Sequence, residues 1–126
     1  MTNSKPKILL IEDDQSLSDM YTMKFSSENM DFLKADNGED GLTMAKAELP
    51  DLILLDIMMP KMDGFAVLTE LKADAKTKNI PVLVLSNLGQ KSDIEKGEKL
   101  GATGYVVKAT MTPTQVVAKV KETLTK

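Results

Sequence analysis

The sequence predicts an α/β domain in which a parallel sheet is wound by helices on both faces. Two observations carry this. Five short apolar segments alternate with five segments of helical periodicity over 126 residues, the signature of repeated strand–helix–strand units joined by right-handed crossovers. The Leu52–Leu55 run contains no polar residue, as expected of a strand covered on both faces. A third observation concerns where the strands stop: every one but the second ends on a polar residue able to do chemistry, namely Glu12 with Asp13, Asp56, Ser86 and Lys108. In an open parallel sheet these ends share one edge, where such folds bind their ligands.

The elements follow in order. Residues 1–6 form a short polar tail, and Lys7–Ile11 is the first strand. Ser16 and Asp19 have the spacing of a capping box and Leu17, Tyr21 and Phe25 recur every fourth residue, which predicts a helix whose buried stripe Met20 widens and Met23 leaves. Asp31–Asp36 reads as a short strand. Asn37 caps a second helix carrying Leu42, Ala45 and Leu49 on one face before Pro50 ends it. The central strand is 52–56. Phe65, Leu68 and Leu71 mark a third helix that gives way to the polar stretch Asp74–Asn79, and Ile80–Leu85 is a further strand. A fourth helix, Ser92–Leu100, is anchored by Ile94 and Leu100 and weakened by about 1 kcal/mol by Gly97 at its centre. Gly104–Val107 is the last strand. Thr112, Pro113 and Gln115 supply N-cap, N1 proline and N3 glutamine for a final helix burying Val116, Val117, Val120 and Leu124.

A chain of this length forms one domain, here residues 1–126, burying about two thirds of its unfolded surface. Only five residues are aromatic, so the core is aliphatic, with Met filling gaps. The absence of cysteine and histidine excludes disulfides, thiolate metal sites and every relay built on histidine. All 16 basic residues are lysine and the net charge is -3, which argues against base reading by bidentate arginine and against binding a phosphate backbone. No signal-peptide pattern and no apolar run near ~20 residues is present, so the expected location is the cytoplasm, without membrane contact.

Glu12, Asp13 and Asp56 gathered at one edge repel one another: at an effective dielectric near 20, a like-charge pair at ~4 Å costs on the order of 4 kcal/mol. Either a carboxylate takes up a proton or a cation binds. Oxygen ligands without His or Cys favour Mg2+ or Mn2+. Lys108 adds a positive charge and Ser86 a hydroxyl, which together with an acid nucleophile and a divalent cation make a site able to receive a phosphoryl group. Asp14, taken alone, reads as a capping or surface acid.

On these residues the chain resembles the receiver domains of bacterial two-component response regulators over essentially its whole length. The matching positions are Glu12 and Asp13, then Asp56 with Met58, Met59, Pro60, Asp63 and Gly64, then Ser86, then Tyr105 and Lys108. The resemblance implies a flavodoxin-like fold with strand order 2-1-3-4-5 and five helices. It implies that Asp56 is the phosphoacceptor, fed by a sensor histidine kinase or phosphotransfer protein. Mg2+ would then be held by Asp13, Asp56 and the Met58 carbonyl, with Glu12 acting through water. Lys108 would contact the phosphoryl oxygens, Ser86 would move to hydrogen-bond one of them, and Tyr105 would turn inward. The surface of helix 4, strand 5 and helix 5 would carry the change to a protein target, the chain being a monomer or a weak phosphorylation-dependent dimer.

Two positions depart from the family pattern. Ala109 stands where the family usually has a proline with a cis bond. A cis bond before a non-proline residue costs about 2.5–4 kcal/mol, so either isomer is open and the placement of Lys108 depends on it. Asn87 replaces the usual Ala or Gly, and either narrows access to Asp56 or adds a hydrogen bond. These departures motivate an alternative, a pseudo-receiver that binds partners without phosphorylation. A phosphohydrolase of the haloacid dehalogenase type is the other alternative, opposed by Met58 at the position where that family carries its general acid. Met58 and Leu88 are expected to flank the path of an attacking water. Whether the chain stands alone or belongs to a longer regulator is open.

Overall fold

The computed structural model describes residues 5–87 and 91–125, so the expectations for most of the N-terminal tail and for Leu88 lie outside the described residues. The elements are β1 (Lys7–Ile11), α1 (Gln15–Ser26), β2 (Asp31–Ala35), α2 (Gly38–Glu48), β3 (Leu52–Asp56), α3 (Gly64–Ala73), β4 (Val82–Ser86), α4 (Lys91–Lys99), β5 (Gly104–Val107) and α5 (Pro113–Leu124). The strands form one parallel sheet in the order β2-β1-β3-β4-β5, the flavodoxin-like arrangement the family resemblance implies.

Alternation along each strand splits the core into two layers. Ile8, Leu10, Leu52, Leu54, Leu83 and Leu85 face Tyr21 and Phe25 of α1 and Val116, Val117 and Val120 of α5. Leu9, Ile11, Ile53, Leu55, Val82 and Val84 face Ala45 of α2 and Val67, Leu68 and Leu71 of α3. Because both faces are covered, every residue of β3 and β4 is buried. Three of the five aromatic rings, Tyr21, Phe25 and Phe32, lie on the first face, where Phe25 stacks on Phe32 with centroids 4.9 Å apart.

Four local expectations are corrected. The N-cap of α1 is Asp14, whose side chain accepts the Leu17 amide, and not Ser16; Asp19 is instead taken up by Gln15 and Lys34. The four-residue spacing of Leu17, Tyr21 and Phe25 advances 40° per step, so the stripe drifts toward Ser18, which is buried, and away from Met20, which is exposed. Leu49 is also exposed rather than on the buried face of α2. It ends the helix in the left-handed region at φ 47°, and the chain then turns into Asp51, whose carboxylate accepts the Lys7 amide at 2.7 Å and ties the turn to β1. The small residues Gly38, Gly41 and Ala45 form the buried face of α2 in its place. At β4 the strand begins at Val82, two residues later than expected, because Pro81 has no N–H to give a ladder. The capping box of Thr112 and Gln115 and the N1 proline of α5 are present as read from the sequence.

Candidate functional site

Strand register assembles the site. Ile11 of β1 lies opposite Leu55 of β3, so the next residues along the two strands, Glu12 and Asp56, emerge side by side. Asp56 lies opposite Leu85, and Ser86 opposite Val107, which brings Ser86 and then Lys108 to the same edge. The Lys108 amide donates to the Ser86 carbonyl at 2.7 Å and holds the β5 end against β4.

The side chains converge as the strand ends require. Lys108 Nζ lies 2.8 Å from Glu12 Oε1 and 2.9 Å from Asp56 Oδ1. Glu12 and Asp56 are each 2% exposed, whereas Asp13 is exposed. Carboxylate oxygens of Glu12, Asp13 and Asp56 all lie within 4.8 Å of one another. The Met58 amide donates to Asp56 Oδ1 at 3.3 Å, and the Asp14 amide to Glu12 Oε2 at 3.1 Å.

Three carboxylates against one ammonium leave the site short of positive charge. Burial pushes the Glu12 carboxyl up from 4.5 to about 7; Lys108 opposes this and Asp56 adds to it. An ion pair with lysine would ordinarily lower a carboxyl, so here desolvation outweighs pairing. Burial alone would lower Lys108, but its two carboxylate partners together raise it. Although Glu12 Oε1 is close to Lys108, it is buried without an aligned hydrogen bond; the contact is Coulombic. A buried carboxylate oxygen held by an ion pair without an aligned hydrogen bond, an under-neutralised cluster and a donor set made only of oxygen fit a hard divalent cation such as Mg2+.

The sequence-predicted residues fall as follows. Glu12, Asp13, Asp56 and Lys108 are brought together. Ser86 is buried at the end of the neighbouring strand. Tyr105, opposite Val84, is 41% exposed, so its ring points outward. Met58 is 68% exposed beside Asp56. No peptide bond among the described residues is cis, so the Lys108–Ala109 bond is trans, and Lys108 nonetheless reaches Asp56. Asn87 is exposed.

Two supporting residues were legible only in part. In the sequence Asp14 carries the signal of a capping or surface acid and no more. Besides capping α1, its amide fixes Glu12 Oε2. In the sequence Gly64 stands out only as part of the loop after β3. It is the first residue of α3 and packs so closely on the end of β3 that a Cβ would run into the Asp56 carbonyl and the Ile57 backbone. Its amide donates to the Ile57 carbonyl at 3.2 Å. Asp63 caps the helix through the Ala66 amide at 2.9 Å, and the pair locks the loop that follows Asp56.

A parallel 2-1-3-4-5 sheet with a buried acid, a carboxylate cluster and a lysine at its carboxyl edge defines a flavodoxin-like signalling domain. Residues 8–121 match the response regulator receiver domain family, and the chain belongs to that family. It is 42% identical over 103 residues to the DNA-binding dual master transcriptional regulator RpaA of Synechocystis, covering 82% of this chain and 43% of that protein. It is 35% identical over 102 residues to protein PilH of Pseudomonas aeruginosa, covering 81% of this chain and 84% of PilH. Among solved structures, the receiver domain of a Francisella response regulator superposes with TM-score 0.87 at 27% identity, covering 96% of this chain and 98% of that one. Chemotaxis protein CheY4 of Vibrio cholerae, at 24% identity and TM-score 0.89 over 94% of this chain and 98% of its own, shares the fold. The chain spans about half the length of several curated relatives, RpaA among them. Among the described residues no helix is long and apolar enough to cross a membrane.

Proposed function

We propose that residues 1–126 are a single receiver domain acting as a phosphoacceptor switch, with Asp56 accepting a phosphoryl group from the phosphohistidine of a sensor kinase or phosphotransfer protein. The observation that carries this is the placement of Asp56: a buried acid at the tip of the central strand, 2.9 Å from Lys108 and within 4.8 Å of the oxygens of Glu12 and Asp13. Mg2+ held by Asp13, Asp56 and the Met58 carbonyl, with Glu12 behind a water, would neutralise the carboxylates and the incoming phosphoryl oxygens. Lys108, released from part of its pairing with the acids, moves its ammonium onto a phosphoryl oxygen. Ser86 donates its hydroxyl to another, and Tyr105 turns inward from its exposed position, changing the surface of α4, β5 and α5 that a protein target reads.

Catalysis is limited to the domain's own phosphorylation and dephosphorylation. A cytoplasmic location follows from partnership with the kinase, and the chain is a monomer or a weak dimer on phosphorylation. The net charge of -3 and the absence of arginine support a protein target rather than nucleic acid for this domain. The pseudo-receiver alternative draws on Ala109 and Asn87, yet Lys108 lies in contact with Asp56 across a trans bond. Incubation with acetyl phosphate and Mg2+ is expected to add one phosphoryl group to the wild type and none to Asp56→Asn, by intact mass. Equal labelling of the two proteins overturns the assignment.

A further inference from the structure

The α3–β4 connection and the turn between α4 and β5 meet at a lysine for which the phosphoacceptor reading has no use. Lys72, in the last turn of α3, lays its stem against Gly101: a Cβ built on that glycine would lie 3.1 Å from Lys72 Cγ. Gly101 has φ 106°, a conformation L side chains rarely adopt. At the other end of the stem, Nζ donates to the carbonyls of Lys78 at 3.0 Å and Ile80 at 2.9 Å. It takes part in no ion pair among the described residues.

The two carbonyls bind an ammonium more strongly than a neutral amine, but with no counter-ion beside it a neutral amine also meets every partner this setting offers. A neutral primary amine has two N–H donors and a lone pair. The two carbonyls use both donors, no carboxylate claims a third, and the lone pair takes the remaining vertex of a half-buried nitrogen. Burial without a counter-ion holds the Lys72 amine below the ordinary lysine value, which no other described lysine shows. The carbonyls also select the product. Facing two partial negative charges, a carbamate or another anionic adduct is disfavoured, whereas a small neutral acyl group is not.

We propose that Lys72 is an acylation site, taking an acetyl-sized group from an acyl phosphate or acyl thioester and thereby loosening the clasp between the α3–β4 connection and the α4–β5 turn. The Nζ lone pair attacks the acyl carbon and a C–N bond forms. The bond to oxygen or sulfur breaks, phosphate or thiolate leaves with the electron pair, and the amine proton passes to solvent. The resulting amide has a single N–H, so one of the two carbonyls loses its donor. The step involves neither Asp56 nor a metal and stands apart from the phosphoacceptor reading.

The test treats the full chain, in EDTA near neutral pH, with acetyl phosphate in one arm and acetyl-coenzyme A in the other, and reads each lysine by peptide mass spectrometry. Lys72 is expected to be acetylated several-fold faster than the exposed Lys61, Lys76 and Lys99 in at least one arm, and that arm names the donor class. A rate at or below theirs in both arms overturns the proposal. In the acetylated chain, amide hydrogen exchange is expected to quicken at Ile80, Gly101 and Ala102, whose N–H groups bond within these two turns; unchanged exchange there refutes the clasp. Lys72→Arg keeps the cation and both donors but cannot be acetylated. Faster exchange in this variant after the same treatment also overturns the proposal, since another lysine would then be responsible.

Discussion

Glu12 is the residue at which the electrostatics of this site are most exposed to measurement. Its folded-state value of about 7 lies above the 4.5 of the free side chain, so the folded protein holds a proton more tightly than the unfolded chain. The associated stability is fully present below about pH 4.5 and is lost as pH rises through about 7, a change on the order of 3 kcal/mol for a group this buried. Gln at this position carries no such slope. In EDTA, urea unfolding of Glu12→Gln and wild type is therefore expected to show a stability difference that shifts in favour of the variant between about pH 5 and pH 8; parallel pH profiles would refute the raised carboxyl. Met58 offers a second measurement. Its exposed thioether side chain orients water poorly, so Met58→Asn is expected to shorten the phosphoryl lifetime, read by loss of the phosphorylated mass after removal of the donor. A longer-lived phosphoryl group in the variant would reverse this reading.

At the level of elements, the helix ends that matter to the site were legible unequally. Thr112, Pro113 and Gln115 announced α5 because their cap chemistry is local in sequence. The true cap of α1 was obscured because Asp14, Ser16 and Asp19 are all competent cap or box residues, and only the direction in which the chain leaves β1 selects Asp14. The drift of the α1 stripe toward Ser18 was likewise hidden, since a small polar residue gives no hydropathy signal. Gly64 illustrates a further limit: its close contact with Asp56 and Ile57 joins the start of α3 to the end of β3, a relation set by tertiary packing. Gly64→Ala forces apart backbones that cannot yield as a flexible side chain would, at a cost of about 1–3 kcal/mol. Because displacing a reacting group by about 1 Å costs on the order of 100-fold, the same variant is expected to slow labelling of Asp56 by acetyl phosphate at least tenfold while remaining folded by circular dichroism. Labelling at the wild-type rate would show that Gly64 does not position the acid.

For the molecule as a whole, the alternation of apolar runs and amphipathic segments made the doubly wound sheet readable, and the polar strand ends made most of the site readable. Two features were not available from pattern alone. The division of helices between faces, with α1 and α5 on one side and α2 and α3 on the other, depends on which strands pair. The reach of Lys108 across a trans bond depends on the turn after β5. Both are non-local, and both bear on whether the assembled site holds a cation. A ligand that binds only the folded chain stabilises it by linkage, about 1.4 kcal/mol at ten times its dissociation constant, or roughly 5 °C in a domain of this size. Mg2+ is expected to raise the melting temperature by this amount, and Asp13→Asn, which removes an exposed carboxylate without disturbing the core, is expected to abolish most of the rise. Salt screening of repelling carboxylates would also stabilise the fold, so NaCl at matched ionic strength is the necessary comparison. A specific site requires that Mg2+ exceed NaCl in the wild type and that the excess vanish in the variant. Equal shifts with both salts would mean that the three carboxylates tolerate one another through Glu12 protonation and Lys108 alone.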